Sequence, residues 1–478
     1  MVFSSIPFLF VFLPALVVFY ALCPLVARRY LLIAASLFFY AWGAGGYALV
    51  VVASALFDWA LARGIESARN QDERRRARLF LAGAISQNLG LLVYFKYSGF
   101  FVENVTRAFS GVGLGHPRGL AVALPIGISF MTFEKMSYVI DVWRGDVSAR
   151  RNPVDVLLFV LLFPRAIAGP IVRLREIQGQ LGASSRRLSL DGFVEGSTRF
   201  AHGLAKKVIV ADTMAPIADA AFGRGDAVTT KEAWVGALAY TLQIYFDFSG
   251  YSDMAIGLGR MFGFTLPENF NRPYSAVSVT DFWRRWHMTL SRWFRDYVYI
   301  PLGGSRTGGL RTYGNLVAVF LVTGLWHGAA WTFVIWGGYH GVLLLIERVT
   351  HQRSVGDGPI SLVWVRRAVT LLLVIVGWVV FRAATFPDAV HYLHAMLVPT
   401  GDGMGRDVSI VLGPRSLSIA GLALTVVLLP RRFVIGRVLT SGRSPLANAL
   451  RVAEFAALPI TLLLALSSQF SPFLYFRF

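Results

Sequence analysis

A chain of 478 residues that is 55% hydrophobic and only 15% charged, with a mean hydropathy of +0.57, cannot close a water-soluble globule and reads as an all-α polytopic membrane protein. Its formal charge of +19, from 46 Lys and Arg against 27 Asp and Glu, sits in short loops between apolar runs, which fits a positive-inside topology and anionic lipid surfaces better than a nucleic-acid-binding face. A single cysteine, Cys23, excludes an internal disulfide framework or a cysteine-rich metal site, and between Leu22 and Pro24, with no base nearby, it is a poor nucleophile.

The N-terminus has no basic residue before its apolar core, so residues 6–26 read as a first retained span and not as a cleavable signal. Arg28 and Arg29 follow it. A tight pair, 30–42 and 47–62, hinges on Gly43, Gly45 and Gly46 and leads to a loop over 63–78 with six arginines against three acids. That loop should be cytoplasmic, and three spans back from it the N-terminus lies outside. Residues 79–97 return outward, a less basic outer segment covers 98–119, and 120–143 comes back to Arg144, Arg150 and Arg151. In the next block, 153–175, Pro164 and Pro170 interrupt an apolar run. Broken helices are tolerated at membrane depth only where they line protein or water, so this block should help to build a cavity.

Residues 186–207 read as an amphipathic cytoplasmic helix leading into a segment near 208–221. The apolar stretch 234–248 runs into DFSGYSDMAIGLGRMFG (247–263), where Asp247 and Asp253 suit caps or ion pairs as well as chemistry. Its GLGRMFG lacks the spacing and the strand–helix setting of a dinucleotide fingerprint. Further spans are expected at 338–349, 367–381, 409–430 and 454–466, which gives about eleven to thirteen membrane segments in one domain covering 1–478. His391 and His394 share a helix face at metal-compatible spacing, but without further ligands they read as structural or interfacial, and no metal site is expected.

Polar density and apolar character meet in 267–306 and the helix after it, 314–341. Between Arg272 and Arg311 seven arginines (Arg272, Arg284, Arg285, Arg292, Arg295, Arg306, Arg311) stand against two acids, Asp281 and Asp296, and six of the chain's twelve tryptophans fall between Trp283 and Trp336. Indole rings can wall a pocket, and arginines can hold phosphate or carboxylate groups. His327 lies inside an uncharged run between Gly324 and Gly328. An ionisable residue there is a functional candidate unless it is simply packed between helices, and position alone supports either reading. The glycine pair lets another backbone come close, so the ring should face a neighbour and not lipid. Imidazole is also the side chain best suited to move a proton near neutral pH.

These motifs resemble the membrane-bound O-acyltransferase family, in particular its bacterial branch that O-acetylates alginate. The carrying stretches are 124–146, FPRAIAGPIVR (163–173), 246–264, PENFNRPY with DFWRRWHMTLSRWFRDYVYIPLGG, GLWHGAAWTFVIWGGYHG and the terminal FSPFLYFRF, so the likeness covers nearly the whole chain. Met131 and Arg165 depart from the pattern. The resemblance implies helices packed around a membrane-embedded funnel, with a catalytic core at about 124–341. It implies that His327 is the catalytic histidine and that His287, in WRRWH, is the second histidine of this branch.

It further implies no bound cofactor, a cytosolic donor such as acetyl-CoA, exported acyl-transfer partner proteins, a polysaccharide acceptor such as alginate, and a place in the bacterial inner membrane. An activated thioester needs only a base for the attacking hydroxyl, oxyanion stabilisation and exclusion of water. We therefore expect His327 to act as general base and His287 as a positioning or second acid/base group. Arg284, Arg285, Arg292 and Arg295, with Trp326, are candidates for holding the donor, although the Asp281–Arg285 and Arg292–Asp296 spacings also suit pairs along one helix. Two alternatives stay open: D-alanyl transfer from a carrier protein toward teichoic acid, and a proton-coupled transporter, which the lack of internal duplication disfavours.

Overall fold

The computed structural model describes residues 1–110, 124–182, 188–306, 308–350, 360–401, 403–429, 459, 461–466 and 473. Among these the regular structure is helical throughout. Of the expected segment at 454–466, residues 459 and 461–466 are described and helical; the terminal FSPFLYFRF, apart from Phe473, and the second half of the 98–119 segment lie largely outside the described residues.

A π turn (Phe8–Phe12) enters α1 (Leu13–Leu22), and α2 (Arg28–Ala44) and α3 (Tyr47–Asn70) turn on Gly45, whose φ of 54° suits glycine. The stretch 63–78, expected as a loop, is mostly helix. α3 continues to Asn70, α4 (Arg74–Leu92) starts after a turn at Asp72, and α5 (Ser98–Ser110) follows a π turn at Val93–Tyr97. Arg, Ala and Glu are good helix formers, so these helices extend beyond their apolar parts. One end of the molecule collects the basic segments. There Arg69 donates to Val142 O (2.7 Å), Trp59 Nε1 to Arg150 O (2.7 Å), Ala149 N to Glu66 Oε1 (3.1 Å), and Arg29 approaches Asp155 (3.8 Å). We call this the arginine end.

α6 (Ile128–Arg144) runs between two left-handed glycines, Gly127 (φ 75°) and Gly145 (φ 85°), and is buried along nearly its whole length. A Cβ on Gly127 would collide with Ala166 O, so only glycine fits there. The ionisable residues of α6 are each matched. Glu134 pairs with Arg165, while Lys135 donates to Ser54 Oγ (2.7 Å) and lies 3.7 Å from Asp58, whose carboxylate accepts from Asn88 Nδ2. Arg165, a departure from the family pattern, is thus balanced by an acid one helix away.

After α7 (Pro153–Leu161) the chain from 162 to 173 is irregular yet buried, until α8 (Leu174–Ile177) resumes. Side chains satisfy its backbone: Phe163 N donates to Ser36 Oγ (3.0 Å), Ile171 N to Thr289 Oγ1 (3.0 Å), Val172 N to Glu134 (3.4 Å) and Arg173 N to Glu176 (2.8 Å). This is the condition under which non-helical backbone survives at depth.

α9 (Leu190–Ala205), a π turn and α10 (Asp212–Phe222) pack along α11 (Thr230–Met261), a 32-residue helix roughly 48 Å long. The α9 and α11 backbones touch at Gly196–Gly257 and Gly203–Gly250. Residues 262–306 then fold inward through two short helices, α12 (Val279–Trp283) and α13 (Met288–Phe294), and a π turn at Arg295–Tyr299. α14 (Gly309–His327) and α15 (Trp331–Val349) form an antiparallel hairpin, followed by α16 (Ile360–Arg382), α17 (Phe386–Leu397), α18 (Arg406–Val411) and α19 (Pro414–Leu428).

Three described stretches are long and apolar enough to cross a membrane unaided: Tyr47–Asn70, Arg74–Phe109 and Ser361–Arg382. α6 and α11, with their buried acids and bases, instead cross the body enclosed by protein.

The α14–α15 crossing is set by glycine. A Cβ at Gly337 would strike Phe320 O and lie 3.1 Å from Gly324 Cα, whereas one at Gly338 meets only a Leu321 methyl at 3.4 Å. We expect Gly337→Ala to destabilise the protein by about 1–3 kcal/mol and Gly338→Ala to be neutral or slightly stabilising, as read by thermal unfolding in detergent.

Candidate active site

His327 is the last residue of α14, where Gly328 turns extended (φ −161°, ψ 153°) and stops the helix. The final carbonyls of a helix have no partners of their own and must find them elsewhere. Here the π turn after α4 supplies them: Tyr97 OH donates to Leu325 O (2.8 Å), and Lys96 Nζ donates to Trp326 O (2.5 Å) and His327 O (3.0 Å). An ammonium is well placed at this end, which carries the negative pole of the helix.

The His327 side chain is 4% exposed and sits edge-on to the rings of Trp326 (5.0 Å between centroids), Trp336 (5.1 Å) and Phe381 (5.4 Å). It faces neighbours, as the glycine spacing led us to expect: Gly324 meets α15, and Gly328 lies against the Phe333 ring. With Lys96, Gly127, Ser129, Phe130 and Trp326 it lines a cavity of about 110 Å³ whose mouth includes the exposed Leu124. This cavity is at the end opposite the arginine end: Gly127, Ile128 and Ser129 at the start of α6 line it, while Val142 near the other end of the same helix accepts from Arg69.

His287 is fully buried and adopts a left-handed backbone (φ 43°), which only the surrounding structure can impose on a histidine. Its Nδ1 lies 3.1 Å from Asn269 Oδ1. That oxygen also accepts from Thr289 N (3.3 Å) and Thr289 Oγ1 (2.9 Å), and Asn269 Nδ2 donates to Ser252 Oγ (3.2 Å). An amide oxygen only accepts, so Nδ1 carries the proton and a neutral His287 has its basic lone pair on Nε2.

The His287 ring lies 6.4 Å from Phe130 and 6.2 Å from Trp326, two walls of the cavity, and 4.8 Å from Phe248. It does not itself line the cavity. His287 and Lys96 are both close enough to His327 for a charge on either to be felt there. The structure therefore brings both histidines and Trp326 together in one aromatic-walled region.

The four arginines do not line the cavity, and Arg292 and Arg295 lie at the arginine end, where Arg144 at the end of α6 donates to Asp296 O (3.0 Å). Arg285 pairs with Asp281 (2.7 Å), as its spacing suggests. Arg292 does not pair with Asp296: it approaches Glu176 (3.8 Å), and Arg295 takes Asp296 instead (2.7 Å), because the helix widens into a π turn at Arg295. Arg284 is exposed. Asp296 also accepts from Arg173 and, at 3.0 Å, from Arg175. Burial alone would raise both carboxyls, but Arg295, Arg173 and Arg175 hold Asp296, and Arg173 and Arg292 hold Glu176, below the ordinary carboxylate range. The network joins the histidine region through Trp293, which stacks on Phe133 (3.8 Å), itself 5.2 Å from Trp326.

Sequence reasoning missed Lys96, Asn269 and Thr289. It also missed His340, a third buried histidine that accepts from Trp283 Nε1 (3.4 Å) and packs on Trp336. His391 lies 3.9 Å from Asp226, away from this site.

A membrane helix bundle with two buried histidines beside an aromatic cavity is the setting of a membrane-embedded transferase. Residues 86–354 match the membrane-bound O-acyltransferase family, and the chain belongs to it. It is a membrane O-acyltransferase. The chain is 42% identical to the probable alginate O-acetylase AlgI of Azotobacter vinelandii over 100% of both proteins. It is 37% identical to the peptidoglycan O-acetyltransferase of Helicobacter pylori over 83% of this chain and 80% of that one. With the teichoic acid D-alanyltransferase of Bacillus subtilis it shares 31% identity over 46% of this chain and 58% of that one.

Asn269→Leu removes the shared acceptor of His287 and Thr289 from a buried site. We expect it to cost about 1–3 kcal/mol, seen as a lower thermal unfolding midpoint in detergent. An unchanged midpoint would contradict the role given to Asn269.

Proposed function

We propose that this enzyme takes an acetyl group from acetyl-CoA on the cytosolic side of the bacterial inner membrane and passes it to an acceptor on the outside, toward O-acetylation of an exported polysaccharide such as alginate. Exported acyl-transfer proteins would carry the group onward. The observation that carries this reading is His327, buried among aromatic rings on the wall of a cavity at the end opposite the arginines. With the basic end inside, the N-terminus lies outside.

In this scheme His327 takes the proton of the acceptor hydroxyl as its oxygen attacks the thioester carbonyl. The tetrahedral oxyanion then collapses, the C–S bond breaks, and the proton returns to the leaving thiolate. His287, oriented by Asn269 through Nδ1, serves as the positioning or second acid/base group. Trp326 and its neighbours keep water out. Arg284 and Arg295, the more exposed of the four arginines, are the better placed to meet the donor's phosphates, while Arg285 and Arg292 mainly hold their acids. The catalytic core would be about 124–341 within one membrane domain.

Full-length similarity to relatives named as alginate O-acetylases, against partial similarity to a D-alanyltransferase, favours acetyl over alanyl transfer. A relative named for peptidoglycan keeps a second polymer in view.

With labelled acetyl-CoA and membranes that carry the enzyme and its exported partners, His327→Ala at matched insertion should lower transfer by roughly 10²–10⁴-fold, with His287→Ala also impaired. Undiminished transfer by His327→Ala would remove it as the base. Consumption of carrier-bound D-alanine in place of acetyl-CoA would establish the alanyl reading.

A further inference from the structure

We propose that Lys96 is a catalytic residue whose ammonium binds the oxyanion formed on the acyl carbonyl in the His327 cavity. The inference rests on the functional reading above and adds the group that reading leaves unassigned: a base is present, but no donor has been named for the developing negative charge.

A lysine ammonium has three N–H donors and no acceptor. Two of those of Lys96 are spent on Trp326 O (2.5 Å) and His327 O (3.0 Å). Among the described residues Nζ has no third acceptor, and Lys96 and His327 line the same cavity. The remaining N–H is therefore available to a molecule in the cavity. The two carbonyls also fix where the charge stands, since both belong to the rigid end of α14 that carries His327, and the Trp326 ring lies 5.8 Å from Nζ. A donor held in advance of the reaction, in a water-poor site, stabilises a developing oxyanion without reorganising. The negative pole of the helix end and the face of the indole both attract the cation.

The step balances with the base already named. As the acceptor oxygen bonds to the carbonyl carbon, its proton moves to His327 and the C=O electron pair moves onto oxygen, next to Nζ. When the C–S bond breaks, the pair returns to re-form C=O and His327 gives the proton to sulfur. Lys96 keeps its protons throughout.

Lys96 also caps the helix, so its test must separate the two roles. Lys96→Gln keeps N–H donors for the carbonyls but removes the charge, and Lys96→Arg keeps both charge and donors. Full-length parent, Lys96→Gln, Lys96→Arg and His327→Ala would be compared in membranes with labelled acetyl-CoA, scoring kcat, donor KM and thermal unfolding at matched folded protein.

We expect Lys96→Gln to unfold near the parent temperature and to lose kcat by roughly 10²–10³-fold with donor KM little changed. Lys96→Arg should recover at least tenfold over Lys96→Gln. The proposal is overturned if Lys96→Gln stays within threefold of the parent kcat while His327→Ala is inactive, or if its whole defect lies in donor KM. It is equally overturned if Lys96→Arg is no better than Lys96→Gln. If His327→Ala keeps full activity, the general-base reading fails first, and the assignment of Lys96 falls with it.

Discussion

A helix that ends inside a membrane protein leaves carbonyls with no water to donate to them, and the placement of His327 depends on how that is solved. Lys96 and Tyr97 reach from the neighbouring segment to Leu325, Trp326 and His327 and satisfy all three. The α14–α15 hairpin can then turn tightly, because Gly324 and Gly337 allow the two backbones to touch. The result is an imidazole held against Trp336 and Phe381 on one side and a cavity on the other. Neither the aromatic packing nor the glycine contact alone would fix that position, since both leave the helix end unsatisfied.

The same rule organises the rest of the interior. Irregular backbone at 162–173 survives because Ser36, Glu134, Glu176 and Thr289 accept its N–H groups, and Thr289 is in turn tied to Asn269, which orients His287. A break in one helix and the orientation of a histidine thus share a hydroxyl. At the arginine end Asp296 and Glu176 play the corresponding part for cations, drawing Arg173, Arg175, Arg292 and Arg295 into one network. Each of these four arginines has a carboxylate partner, which leaves the outermost guanidinium groups as the ones open to a ligand.

What could be read from sequence follows from the range of the signal. His327 stood out because an ionisable residue between glycines in an apolar run is a local anomaly, and the break at 162–173 was announced by Pro164 and Pro170. Gly45 marked the α2–α3 turn equally well. Lys96 could not be read in this way. It ends an apolar helix like any membrane-flanking lysine, and its partners are 230 and 231 positions away. Asn269 is likewise one polar residue in a polar stretch until the fold places it 18 positions from His287 in sequence and 3.1 Å in space. The Arg292–Asp296 expectation failed because spacing arguments assume a regular α-helix, and a π turn shifts the partner. The 63–78 segment was misjudged because charge marks the membrane boundary, not the end of a helix.

Transfer across the membrane through this site requires the histidine cavity and the arginine network to face opposite sides of it. The most direct measurement is thiol accessibility in a Cys23→Ser chain, which has no other cysteine, with Leu124→Cys at the cavity mouth or Arg295→Cys in the network. An impermeant maleimide should label Leu124→Cys in intact spheroplasts and Arg295→Cys only in inverted vesicles. Labelling of both positions from the same side would contradict the arrangement and, with it, transfer across the membrane through this site.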